Sequence, residues 1–413
     1  MTFPAGAASQ QRLRPVGYSD LDGRPAFKLA LQEVAGRWYL YCGHLWHRGW
    51  TVVDVTDPGA PRPLRFVPGP ENSWTCQVQV ADGLMVTGLE KIVPGWGGDP
   101  DGAFEAGVLV WDVRTDPEVP ALLSHFRTGG TGTHRNYYDG GRYMHLASGL
   151  SGFDGNIYQI VDIADPRSPR EAGRWWLPGQ WRDGGESGAP RDTSLHGGAY
   201  AEGDRAYLPY GGAGFVILDI ADVTAPRLVA HLGFSPPFPS FIAVHTAVPL
   251  PDRGLVVVNS EAIAEGCEEP VGFAGVVDVN DELHPRLVSM FPLPAPPPGA
   301  PYRNFCERGG RFGPHNQHQP QHQRALNAVG DLVHLTYFNA GLRLVDIADP
   351  RLPREVGWFV PPDPTVRRGV LPSRLVTQSE DVLVDARGFI YLTDKNNGLY
   401  VLEDAQREGR RTA

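Results

Sequence analysis

Three histidines open three consecutive segments of similar build: His134 in "HRNYYDGG", His196 in "HGGAYAEG" and His245 in "HTAVPLPD". Each stands at the mouth of a short β-type run that ends in a Gly or Asp turn, so alignment of the runs puts the three in one column. The same column holds Cys76 in "CQVQVADG" and Glu380 in "EDVLVDARG", while the first segment offers only Lys28. A sixth segment, "GPHNQHQPQHQRALNAVGD", supplies His315, with His322 and His318 as alternatives. Neutral imidazole nitrogens bind first-row transition cations well, and a nearby carboxylate can ligate the ion or fix a histidine tautomer. The column therefore predicts a metal site of His134, His196, His245 and His315, with Glu380 as ligand or base. Glu90 and Glu261 follow the second strands of the two segments with long insertions, which makes them candidate acid–base groups. The competing reading of each histidine is a hydrogen-bonded structural residue.

A site drawn from one column needs a repeat to position it, and the chain has one. The segments "GWTVVDVTDPGAP", "GVLVWDVRTDPEVP", "IYQIVDIADPRSP", "GFVILDIADVTAP", "GVVDVNDELHP", "GLRLVDIADPRLP" and "GLYVLED" share a strand that ends in an acid, usually followed by an Asp-Pro turn. The acids are Asp54, Asp112, Asp162, Asp219, Asp278, Asp346 and Glu403, a period that belongs to repeat architectures. Their predicted role is to accept hydrogen bonds from turn amides. Four short β-runs fit in each unit, as in "HGGAYAEG", "RAYLPYG", "FVILDIAD" and "PRLVAHLGF". Four antiparallel strands per unit predict an all-β, seven-bladed propeller built as a single domain over residues 1–413. The seventh unit lacks a fourth strand of its own. The segment "RPVGYSD" is similar to the fourth strands "PREVGWFVP" and "PREAGRWW", so residues 13–19 are expected to pair beside 399–403 and close the ring, which would remove two open edges.

These segments resemble the LVIVD-repeat family, through "RLVDIADP" and "QIVDIADP" above all. The resemblance covers nearly the whole chain and implies the propeller fold more than an activity. Innermost strands of a propeller converge on its channel, so one column of side chains faces a shared point. The expected ring of histidines is similar in architecture to the four-histidine iron site of the carotenoid cleavage oxygenases. The resulting expectation is a metal-dependent enzyme acting on a small, partly apolar organic substrate. Fe(II) and oxygenase chemistry come first. Zn, Mn or Cu, with hydrolysis, lyase chemistry or isomerisation, come second, and a non-catalytic interaction scaffold is the alternative.

Composition narrows the partners. The net charge is -10 and no Lys/Arg-rich run occurs, which argues against nucleic acid or an anionic membrane as partner. Gly (50) and Pro (39) are abundant, yet 41% of residues are hydrophobic, so the chain is turn-rich and globular. With no apolar leader and no long apolar run, a cytoplasmic location is the expectation. Cys42, Cys76, Cys267 and Cys306 form no CxxC pair and are expected to be reduced thiols. Neither a GxSxG elbow nor a GxxxxGK[ST] loop is present. His44 and His47 in "CGHLWHRGW" read equally as site residues or as members of an aromatic cluster with Trp46, Trp50 and Tyr41.

Overall fold

Runs such as "GVLVWD" and "GFVILD" are too short and too β-branched for stable helices, and in the computed structural model they are buried strands. The structure describes residues 3, 4, 6, 8–234, 240–320 and 323–406. It is nearly all β: the helical elements among the described residues are one four-residue helix, Phe305–Arg308, and three single-turn 3-10 segments. No helix among them is long and apolar enough to cross a membrane.

The chain divides into two compact units. The first comprises residues 1–69, 262–271 and 291–413. It contains the sheet of repeat one: Ala26–Val34, Arg37–His44, Gly49–Asp54 and Arg62–Pro68. In repeat six, Ser9–Gln11 is added outside Arg354–Val360, Leu342–Asp346 and Leu332–Thr336. In repeat seven, Leu13–Ser19 pairs antiparallel with Gly398–Asp404, followed by Ile390–Asp394 and Ser379–Val384.

The second unit comprises residues 70–261 and 272–290. Repeats two and three form one nine-stranded sheet, because Gly132 pairs with Glu90 across their border. Repeats four (Tyr200–Glu202 to Arg227–Leu232) and five (Ile242–Leu250 to Arg286–Met290) are separate four-stranded sheets.

A shared irregularity shows that these sheets are copies of one unit. Two residues before the aligned acid, the third and fourth strands slip register by one residue in repeats one to six, as at Val52/Val53, Val110/Trp111 and Leu344/Val345. The N-terminal strand carries the same bulge against the seventh, between Pro15 and Gly17. It also supplies Arg14 to Glu403 where repeat one supplies Arg62 to Asp54. Just past the bulge a glycine is needed by close approach to the next repeat. A Cβ at Gly17 would lie 2.1 Å from the Pro58 carbonyl oxygen, and one at Gly173 2.0 Å from that of Val223.

Core packing runs between neighbouring sheets of each unit. In the first, Leu29, Leu31, Leu40 and Val53 of repeat one meet Leu383, Tyr391 and Val401 of repeat seven. In the second, Ala147, Tyr158 and Ile160 of repeat three meet Leu208, Val216 and Leu218 of repeat four. The aligned acids cap their turns as expected: Asp54, Asp162, Asp219 and Asp346 each accept from the amide two residues on, at 2.9–3.0 Å.

The cysteine expectation needs correction. Cys42 and Cys76 are free and buried, but Cys267 and Cys306 form a disulfide, their Cα atoms 5.4 Å apart. It ties the insertion of repeat five to the helix Phe305–Arg308. The absence of a CxxC pair and the chain length gave no sign that folding would bring together two cysteines 39 residues apart.

Candidate metal centre

In a regular strand successive side chains point to opposite faces, so a strand cannot turn neighbouring residues toward one point. The column residues escape this rule because they sit where the innermost strand is irregular. His134 is the extra residue of a bulge between Thr133 and Arg135. His245 lies in a wider slip between Ile242 and Thr246. His196 precedes its strand altogether, anchored by its amide to the Pro209 carbonyl at 3.1 Å. Bulges re-aim side chains in this way and are frequent beside functional sites.

The three imidazoles converge within the second unit, and both glutamates join them. His134 donates its Nδ1–H to Glu90 Oε2 at 2.7 Å, and its Nε2 lies 3.0 Å from His196 Nε2. Glu261 Oε2 stands 3.2 Å from His196 Nε2 and 3.4 Å from His245 Nε2. Arg135, which can only donate, reaches His245 Nε2 at 2.9 Å. The proton of His245 is therefore on Nδ1, which donates to Thr246 Oγ1 at 2.6 Å. Among the described residues, His196, His245 and Glu261 present ligand atoms that all lie within 4.8 Å of one another.

These spacings fit a first-row cation. Two donors about 2.0–2.1 Å from one tetrahedral ion lie about 3.4 Å apart, close to the 3.2 and 3.4 Å from Glu261 Oε2 to the Nε2 atoms of His196 and His245. Burial first, and then the neighbouring His134, push His196 down to about 3 against the pull of Glu261, so it is neutral near pH 7. The Glu90–His134 pair has the form of a carboxylate that orients a ligating imidazole from behind.

The remaining predicted residues lie in the first unit. His315 is 1% exposed, and its Nδ1 sits 3.0 Å from the Glu380 carbonyl oxygen and 3.2 Å from its carboxylate. Glu380 is fully enclosed and also meets Lys395 Nζ at 2.7 Å. Burial alone would raise its carboxyl, but Lys395, His315 and Arg311 outweigh it and hold it at about 2. Lys28 is committed to Asp381 at 2.6 Å.

His318, the alternative ligand, is a structural residue. Its Nε2–H donates to the Asn327 carbonyl at 2.7 Å and its Nδ1 accepts from the Val384 amide at 3.1 Å, so no ring nitrogen remains for an ion. His322 lies outside the described residues. His44 is likewise spent on the Pro25 carbonyl and Thr51.

Sequence reasoning missed Arg135 and its partner Gln77, 3.3 Å away. Arg135 follows a candidate ligand directly, and only the bulge reveals that both face the same way. Glu261, read from the sequence as an acid–base group, sits among the donor atoms themselves.

The LVIVD repeat matches residues 200–232, the strands of repeat four. No curated protein matches the chain. Among solved structures, the periplasmic gluconolactonase of Pseudomonas aeruginosa is similar at 13% identity and TM-score 0.53, over 96% of this chain and 100% of that one. The β-propeller domain of Cps50 (Swd1) from Myceliophteria thermophila is similar at 12% identity and TM-score 0.52, over 96% and 99%. The fold is a β-propeller. At these identities the likeness carries the fold and leaves the chemistry to the site.

Proposed function

We propose that this propeller is a metal-dependent hydrolase of small organic substrates such as lactones or esters, with a divalent cation held by His134, His196, His245 and Glu261. The observation that carries the reading is the donor set of His196, His245 and Glu261, in which Glu261 Oε2 lies 3.2 and 3.4 Å from the two Nε2 atoms, close to the edge of a coordination polyhedron. The gluconolactonase named among the similar structures supports hydrolysis at the level of fold only. A bound divalent cation would supply a water of lowered pKa and polarise a carbonyl oxygen. Glu90 holds the His134 ring, Thr246 holds that of His245, and Glu261 adds the one negative charge among the donors.

A second reading, Fe(II) oxygenase chemistry, draws support from His196, His245 and Glu261, since two histidines and a carboxylate also suit non-haem iron. We also infer that the seven repeats close into one ring through Leu13–Ser19, and that nucleic acid and membranes are not partners. The Cys267–Cys306 disulfide favours an oxidising compartment over the cytoplasm.

Elemental analysis of protein purified without added metal tests the site. Near-stoichiometric zinc, manganese or iron is expected, and His196→Ala and Glu261→Gln should each weaken metal affinity by about 10-fold to 100-fold or more while the protein stays folded. Wild-type protein that takes up no cation, or a His196→Ala protein with full metal content, would refute it. Water-dependent opening of a lactone panel against dioxygen uptake separates the two chemistries.

A further inference from the structure

Arg135 is 5% exposed and sits inside the donor cluster, its Nη2 2.9 Å from His245 Nε2. A guanidinium is protonated at every relevant pH. A cation that uses the His245 Nε2 lone pair must displace this hydrogen bond, and the released guanidinium then stands beside a divalent ion. Glu90 and Glu261 bring two negative charges against the three positive charges of Arg135 and the ion. A buried guanidinium beside a divalent ion favours an anionic ligand. Arg135 also has the planar fork that fits a carboxylate, and its Nη1 is steadied by Gln77 Oε1 at 3.3 Å.

We propose that Arg135 and the bound cation together clamp a carboxylate, so that the site takes substrates that carry or generate a carboxylate next to the reacting bond. This rests on the metal reading above and adds a ligand class to it. Ester or lactone opening generates such a group from a neutral carbonyl, and Arg135 would receive the negative oxygen as it forms. In the metal-free protein Arg135 serves as a stand-in that keeps the His245 ring in place.

The two roles make Arg135→Gln shift two measurements in opposite directions. With the hydrogen bond to His245 weakened, the variant should hold zinc at least as tightly as wild type in competition with a chelator. With the guanidinium gone, acetate binding to the zinc-loaded protein, read by calorimetry, should weaken at least tenfold, and acetamide should bind weakly to both. Arg135→Lys should restore part of the acetate affinity, and it serves as the probe if the Gln variant does not fold. Acetate that binds Arg135→Gln as well as wild type, or zinc-loaded wild type that does not prefer acetate to acetamide, overturns this inference and leaves the metal site standing. Parallel weakening of zinc and acetate would make Arg135 a structural residue and also overturn it. Failure of wild type to bind zinc overturns the metal reading beneath.

Discussion

Lowering the pH from 6.5 to 5 should cost this protein a large part of its stability, through three histidines outside the metal centre. His44, His145 and His318 are buried, and burial before all else pushes each from 6.5 to about 4. The carbonyls of Pro25 and Asn327, which accept from His44 and His318, pull the other way and are outweighed. His318 accepts the Val384 amide on Nδ1, so a proton placed there would face a donor. In the unfolded chain each would protonate near 6.5, whereas in the folded chain it stays neutral down to about 4. The unfolded state therefore binds more protons within that window, and stability falls as pH falls from 6.5 toward 4. Because the unfolded imidazole is only half protonated at 6.5, the drop to 5 costs about 1.6 kcal/mol for each histidine and about 5 kcal/mol for three. Asp394 and Glu355, raised by burial, oppose this by taking up protons in the folded state as the pH nears 4. A loss of several kcal/mol is comparable to the whole stability of many domains. Urea denaturation at half-unit pH steps is the assay, with imidazole NMR shifts of the native protein read in parallel. A flat stability profile from 6.5 to 5, or native His318 protonating near 6.5, would refute the reasoning.

Removal of residues 1–20 should strip the fourth strand from Gly398–Asp404 and the two-point Arg12–Asp404 pair with it. Six paired positions at about 0.5 kcal/mol or more each put the loss at about 3 kcal/mol or above, with added aggregation from the open edge; a truncated protein as soluble and stable as the full chain would count against it. Reduction of Cys267–Cys306, or Cys306→Ser, should lower stability by about 2–4 kcal/mol, seen as a lower melting temperature in reductant, and an unchanged melt would show that the link constrains little.

The parts legible in the sequence were those that repeat. Aligned acids located the third strand of every unit, and the likeness of "RPVGYSD" to later fourth strands pointed to the partner of residues 399–403 before any pairing was visible. His134, His196 and His245 share one position in the repeat and stand together with Glu90 and Glu261, whereas His315 and Glu380, drawn from the same position, lie in the first unit. What the sequence concealed depends on single-residue offsets or on contacts that are not periodic. The bulge at His134 leaves no mark in composition, so nothing in the sequence turns Arg135 toward the same point. His318 lies three residues from His315 in a run of similar residues, and only its two backbone partners distinguish it. The Cys267–Cys306 link joins insertions of two different units, where the repeat has no say.

Because the chain's first strands find their partners at its far end, synthesis itself imposes an order. Tyr18 and the Asn397 carbonyl it bonds stand 379 residues apart. At about 5–20 residues per second, a ribosome needs roughly 20–80 s to deliver that partner, and the N-terminal segment waits all that time with its backbone unpaired. Its make-up suits the wait: "SQQRLRPVGYS" carries two arginines, two glutamines and a proline, and such residues discourage a lone strand from joining a stranger. Repeats one to five can form while this end is still idle, and the sheets of repeats six and seven gain their outermost strands last, from a segment made before any of them.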